Sequence, residues 1–369
     1  MPKSAPRREL RLLATVAGAS ILFAAPAAHA TTFMDTFKSV SKTYNLFLSG
    51  DLGKADAPLS YSDTEGKVAV GGSAYLKGYE VGQKNPGGDA LVVGKALNYQ
   101  SGTIHGNVVV GGAASFPTNQ GGTTVEGTVA AGAGLGVSPT QYSGTATFSS
   151  LPLDFGQVGA DLASASSFLN SADARGQGTL GQAAKTPWGQ LNLTSAAGGV
   201  VFFDLAASDL VGINALTFSV DPKATIIINL TGQTGGLLTN YGFLGNVQKE
   251  LTLFNFIDAE NLNMANLGFM GSILAPKADV VGTYGQINGS VMAESFNGTT
   301  QINWAGFNGG LPTHSPPVIT PPTIDPPTPG GPIGAVPEPS SWVTMILGVA
   351  ALGAVLRRRR HSANAQAAI

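Results

Sequence analysis

The chain has 369 residues, 43% of them hydrophobic, a formal net charge of −2 and no cysteine; this excludes a disordered protein, a disulfide framework, thiolate metal sites and a catalytic cysteine. Only 11% of residues are charged, while glycine supplies 50 and proline 22 without a collagen-like period, so the chain turns often. Between its basic ends 12 lysines and arginines face 21 acidic residues, a balance of −9, and such a body is a poor partner for nucleic acid, whose phosphates need clustered basic side chains.

Lys3, Arg7, Arg8 and Arg11 precede an apolar run from Leu12 to about Ala27 that closes on Ala28-His29-Ala30. A positive start, an apolar helix and small residues before the cut define a signal peptide over residues 1–30. Ala28 and Ala30 are the positions for signal peptidase, leaving Thr31 as the first mature residue. An uncleaved anchor is the alternative. Glu9 and Arg11 fit the twin-arginine pattern poorly, which favours the general secretory route.

Residues 31–310 read as one mainly β domain. A pattern recurs in Gly66-Lys-Val-Ala-Val-Gly-Gly, Asp89-Ala-Leu-Val-Val-Gly, Gly106-Asn-Val-Val-Val-Gly-Gly and Gly127-Thr-Val-Ala-Ala-Gly, with closing glycines Gly71, Gly94, Gly111 and Gly132 spaced by 23, 17 and 21 residues. It returns in Gly271-Ser-Ile-Leu-Ala-Pro and Gly289-Ser-Val-Met-Ala-Glu, 18 residues apart. Alternate residues of a strand share a face. Val68 and Val70, Leu91 and Val93, Val108 and Val110, Val129 and Ala131, Ile273 and Ala275, and Val291 and Ala293 therefore point inward, while the glycines turn the chain to the next side of a coil. The expected architecture is a parallel β-solenoid, each coil buried only when neighbours cover it. An antiparallel sandwich of similarly spaced hairpins is the alternative. Ala131 and Glu294, which break the repeat, leave the register of their coils open.

Glycine thins out from Leu153 to Arg175, where Phe155, Val158, Leu162, Ala165 and Leu169 follow three-and-four spacing. That predicts one flanking amphipathic helix over about 153–175. Strand-like runs resume at Val200–Leu205, Ala215–Val220, Thr225–Leu230 and Leu251–Ile257, so both sets of repeats are expected in one body.

Residues 311–335 are proline-dense and read as an extended linker. Residues 336–361 begin Val-Pro-Glu-Pro, run through an apolar stretch from Trp342 to Leu356 and stop at Arg357, Arg358, Arg359 and Arg360. As a transmembrane helix, 342–356 would measure about 22 Å at ~1.5 Å per residue, short of the ~30 Å hydrocarbon core. The four arginines would hold its end on the cytoplasmic side, ahead of a polar tail, 362–369. Flanking prolines keep Glu338 out of a helix and present it extended at the membrane face. Pro337, Glu338 and Pro339 with the short helix and arginine cluster resemble a PEP-CTERM protein-sorting signal of Gram-negative bacteria. The resemblance implies recognition of those three residues by an exosortase at the inner membrane, followed by surface display or release. A plain C-terminal anchor is the alternative.

Candidate chemical sites are sparse. His105 lies beside a turn glycine. Asp63 with Glu65, and Asp258 with Glu260, are i, i+2 carboxylates that share a face when extended, as Ca²⁺ binding or glycoside chemistry would need. Trp188 and Trp304 could stack on sugar rings, although core packing is the ordinary role of such residues. Thr123, Thr124, Thr225, Thr299 and Thr300 fall too irregularly to rank on an ice-binding face. No nucleophile elbow, HExxH, P-loop or EF-hand spacing occurs. No catalytic, metal or cofactor site is expected.

Tyr44-Asn-Leu-Phe-Leu-Ser-Gly-Asp-Leu, Glu65-Gly-Lys-Val-Ala-Val-Gly-Gly, Phe254-Asn-Phe, Gly271-Ser-Ile-Leu-Ala-Pro and Asn288-Gly-Ser-Val-Met-Ala together resemble the choice-of-anchor A domain over about residues 40–310. The resemblance implies a helix-flanked β-solenoid similar to that of ice-binding proteins, displayed at the cell surface or in the extracellular matrix, and it brings no catalytic site. The expectation is an exported structural or adhesive protein with an extracellular polysaccharide or matrix ligand. A polysaccharide lyase or glycoside hydrolase on a β-helix, and an ice- or surface-binding protein, are the alternatives.

Overall fold

The computed structural model describes residues 32–117, 121–233 and 238–314. The signal-peptide residues 1–30 with Ala28 and Ala30, most of the linker, the sorting residues Pro337, Glu338 and Pro339, the apolar run 342–356, Arg357 to Arg360 and the tail lie outside them.

The described chain winds into a parallel β-solenoid. Each pairing in its large sheet of 21 strands is parallel, which excludes the hairpin sandwich. One ladder shows how the coils stack. Its spatial order is Thr179–Leu180, Val200–Ala206, Thr225–Thr231, Thr252–Phe256, the first parts of Ser272–Asn288 and Val291–Gly298, then Tyr44–Leu48, Lys67–Val70, Asp89–Val93, Asn107–Val110 and Val129–Ala131. Spatial order and chain order therefore differ. Residues 44–142 wind from the middle of the stack to one end, and residues 179–303 wind from the other end back to the middle. There Leu46 pairs with Val291 on one side and with Val68 on the other. Both sets of repeats belong to one body.

Alternation along these strands sorts the side chains as the pattern predicts. Val68, Val70, Leu91, Val93, Val108, Val110, Val129, Ile273, Ala275, Val291 and Ala293 enter the solenoid interior, with Ala131 packed at its margin. Ala131 does not shift the register, since it pairs with Val110, whereas the register does shift at Glu294: Ala293 pairs with Ala275 but Ser295 with Asp279. The intervening residues Phe47, Ala69, Phe202, Ile227, Leu253, Leu274 and Met292 point outward, yet they are buried. Helices cover them.

The single flanking helix of the sequence reading is corrected to three. α1 (Phe33–Thr43) starts from a capping box in which Asp35 N–H donates to Thr32 Oγ1 at 3.2 Å and Thr32 N–H to Asp35 Oδ2 at 3.3 Å. α2 (Phe155–Leu169) carries the predicted apolar stripe of Val158, Leu162, Ala165 and Leu169 into the interface. It ends at Asn170, and Ser171 caps a separate turn, α3 (Ala172–Arg175), so the predicted 153–175 helix is two. Polar Asn-Ser at the break offers a C-cap and a new N-cap where an apolar pair would have continued the helix. Thr36 Oγ1 donates to Asp161 Oδ2 at 2.6 Å, tying α1 to α2.

Helix length matches the job. Fifteen residues span about 22 Å at ~1.5 Å each, and the roughly five rungs from Gly71 to Asn229 span about 24 Å at ~4.8 Å each. α2 thus returns the chain along the stack between its two halves. Residues 145–154 lead into it, and an added methyl group at Gly132, Gly111 or Gly71 would lie 3.1–3.3 Å from Phe148, Leu151 or Phe155. The repeat glycines form a track for this strap.

The body runs past residue 310. Leu311 packs under the helices, Thr313 N–H donates to Gln177 Oε1 at 2.8 Å, and His314 lies 4.6 Å from Phe33 and 5.1 Å from Phe168 between ring centroids. A smaller sheet of four strands, Gln182–Lys185, Gln190–Thr194, Ala215–Ser219 and Gly242–Gly245, contains the one antiparallel pair among the described residues, and its last three strands stack in parallel as a further face of the second half.

Candidate binding surface

Opposite the ladder covered by helices, two further faces of each coil meet at a corner where the backbone must turn sharply. Register places Asn240 beside Asn266, Asn266 beside Tyr284, and Tyr61 beside Gly78 on this corner. Their φ angles are 56°, 55°, 57°, 55° and 58° for Asn240, Asn266, Tyr284, Tyr61 and Gly78. These include each non-glycine residue with left-handed backbone among the described residues. Asparagine and glycine suit such a turn; tyrosine costs about 1–2 kcal/mol there.

Both tyrosines are also left in solvent, as are Asn240 and Asn266. Tyr61 is 77% exposed and Tyr284 68%. Both are held in place from below. The Tyr61 ring lies over Gly78, where an added methyl would come within 3.1 Å of its Cδ1. Tyr284 N–H donates to Thr299 Oγ1 at 3.2 Å, and Thr300 Oγ1 donates to Tyr284 O at 2.9 Å. Between the rings runs a groove of about 470 Å³ lined by Ser62, Asp63, Glu80, Thr299 and Gln301.

The groove is acidic. Asp63 and Glu80 are partners on neighbouring parallel strands, an arrangement in which like charges repel. Gln301 Nε2 donates to Asp63 Oδ2 at 3.2 Å. Burial, then the charges of Glu65 and Glu80, hold the Asp63 carboxyl above the usual carboxylate range, with the Gln301 bond pulling the other way. Asp63 Oδ1 and Ser62 Oγ are buried and find no hydrogen-bond partner within the protein.

The residues singled out in the sequence distribute as follows. Glu65 Oε2 accepts from Trp304 N–H at 2.9 Å, so it braces the chain beside the groove. Asp258 Oδ2 accepts from Gly232 N–H at 3.2 Å across a stacked turn, and Glu260 is exposed. The two carboxylate pairs are not brought together. His105 Nδ1 lies 3.1 Å from Glu126 Oε1 on the next coil. Trp304 is half-buried against Gly66 and Gly306, as ordinary packing predicts, whereas Trp188 is 79% exposed in the end hairpin, contrary to it. Thr123, Thr225 and Thr300 are buried. Among the described residues no three carboxylate or imidazole groups converge as a metal ion would need, and no helix is long and apolar enough to cross a membrane.

Tyr61, Tyr284, Ser62, Glu80 and Gln301 escape the sequence reading. The signal for them is local: Ser60-Tyr-Ser-Asp and Thr283-Tyr-Gly-Gln set a tyrosine among small polar turn residues, where no apolar run calls for it.

A stack of parallel strands, sealed on one ladder by helices and open at a polar corner, defines a β-solenoid protein. Residues 38–304 match the family described as "Putative Ice-binding-like adhesive domain", and the chain belongs to that family. That description, and not the choice-of-anchor A label, is what the match supplies. Residues 335–360 match the PEP-CTERM protein-sorting motif. Together the two make the chain an exported surface protein that is sorted through exosortase processing. Comparison with curated proteins and with solved structures gives no match.

Proposed function

We propose that the chain is a non-enzymatic adhesin of the cell envelope or extracellular polymer. Its solenoid would be carried on the proline-rich segment and delivered through signal peptidase and exosortase. The observation that carries this reading is the division of the surface. One ladder is closed under α1 and α2, while another corner holds two tyrosines in solvent against backbone strain, a cost that folding does not require and binding would explain. Cells producing the full chain should retain extracellular polysaccharide and lose that retention when residues 335–360 are deleted. Mass spectrometry of the surface form checks the sorting step: a C-terminus at Ile369 would count against processing at Pro337, Glu338 and Pro339.

A second reading, glycoside cleavage, is favoured by one observation, the protonation-prone Asp63 beside Glu80. Shortening of a polysaccharide by the purified chain, lost in Asp63→Asn, would replace the adhesive reading with the enzymatic one. Ice adsorption is disfavoured by the burial of Thr123, Thr225 and Thr300.

A further inference from the structure

We propose that the groove between Tyr61 and Tyr284 binds a polysaccharide bearing free amino groups, a ligand that deepens the adhesive reading and rests on it. The rings stand two coils apart, with Thr299 on the coil between them, so about 10 Å separates their levels at ~4.8 Å per rung. That suits every second sugar ring of one extended chain, the two rings laying their C–H faces on the aromatic platforms. The floor supplies Ser62, Thr299 and Gln301 for hydroxyl groups.

Charge selects among glycans. The lining holds two carboxylates, Asp63 and Glu80, and no basic side chain. A neutral chain would leave these repelling neighbours uncompensated, and an acidic one would add to the repulsion. An ammonium group on the sugar would pair with the carboxylates and lie within reach of the tyrosine faces. Asp63 Oδ1 and Ser62 Oγ are buried at the floor of the groove and unpartnered within the protein; a turn of the Asp63 carboxyl would bring that acceptor to such a donor.

Glycine and asparagine provide a clean test because both fit the left-handed corner better than tyrosine. Tyr61→Gly and Tyr284→Asn should fold at least as well as the parent chain, measured by thermal unfolding, while losing the platforms. Binding of the full secreted chain is measured by calorimetry with a glucosamine hexamer, its N-acetylated counterpart and a cellulose hexamer. The glucosamine hexamer should bind at least about ten-fold more tightly than the other two, and each variant should weaken it by roughly ten-fold. Equal binding of the three oligosaccharides, or unchanged binding in both well-folded variants, would overturn the site. So would Ca²⁺ competing at the groove in place of the amine. If cells still retain polysaccharide while the glucosamine hexamer fails to bind, the site is wrong and the adhesive reading stands. If the hexamer is cut, the site stands and the non-enzymatic reading falls.

Discussion

The two halves of the solenoid reach the same ladder by different chemistry. Residues 44–142 use short strands whose ends are brought so close that only glycine fits: a methyl group on Gly94 would sit 2.2 Å from Gly71 O, and one on Gly111 2.3 Å from Gly94 O. None of these glycines has positive φ, so their absent side chain matters, not their conformational freedom. Residues 179–303 keep one such approach, since a methyl group on Gly289 would sit 2.1 Å from Gly271 O, but they also use longer strands, up to the 17 residues of Ser272–Asn288, and pack aromatics against one another inside. Phe254 and Phe269 lie 4.7 Å apart, Phe243 and Phe269 5.1 Å, and Phe218 and Phe243 6.3 Å. The difference teaches that the sequence repeat marks close backbone approach at one corner, not the coil itself.

The largest expected effect breaks the first half alone. Gly94→Ala places a methyl group against backbone oxygen that no side-chain rotation can relieve, and should cost roughly 5 kcal/mol or more, the range reserved for broken architecture. Gly242→Ala in the second half meets nothing within 4 Å and has ordinary φ, so its melting temperature should stay close to the parent's. Equal effects of the two would mean that glycine plays one role throughout. Next comes Phe254→Ala, which opens the aromatic stack and should cost about 3–5 kcal/mol in denaturant unfolding.

A smaller effect tests how the second half holds its helix. Asn255 Nδ2 donates to Asn229 Oδ1 at 2.9 Å and to Ser166 O at 2.9 Å, and Ser166 Oγ donates to Asn255 Oδ1 at 2.6 Å. Asn229 Nδ2 donates to Leu169 O at 3.0 Å and to Asp204 Oδ1 at 3.1 Å. This ladder satisfies the carbonyls that the last turn of α2 leaves without helical partners. Asn255→Ala should cost about 1–3 kcal/mol, because buried acceptors lose their donor. The double variant with Ser166→Ala should cost less than the sum of the single changes.

What was legible follows the same division. The inward valines and parallel stacking could be read because Gly66–Gly72 and its copies repeat a local constraint. The stripe of α2 could be read because a 3.6-residue period is local too. The junction of Leu46 with Val291 could not, since it joins residues 245 apart in the chain. α1 escapes the sequence pattern because Met34, Phe37 and Val40 make a short stripe, although Thr32-x-x-Asp35 is a capping signature. At the corner, Asp63 and Glu65 were visible as a pair, but Glu80 joins them only through strand pairing. Tyr61 and Tyr284 become notable only once exposure and backbone angle are known.

The smallest expected effect lies at the seam where the halves meet, since Asp63 belongs to the first half and its partner Gln301 to the second. Folding carries this carboxyl into a half-buried site beside Glu65 and Glu80, which raises it above its unfolded value. A raised acid contributes stability that is fully present below the unfolded value and lost as pH rises through the folded one. At about pH 7 the charged Asp63 therefore opposes folding, and Asp63→Asn should raise the melting temperature. The gain should shrink as pH falls to about 3, where Asp63 is protonated in both states. A variant less stable than the parent at neutral pH would mean that the Gln301 bond outweighs burial and repulsion, and that the charged carboxylate serves the seam. A gain that persists at about pH 3 would point to packing of the amide instead of to charge. Because a bound ammonium would cancel the same repulsion, the glucosamine hexamer should narrow the difference between parent and variant at neutral pH, which links the stability of the seam to occupancy of the groove.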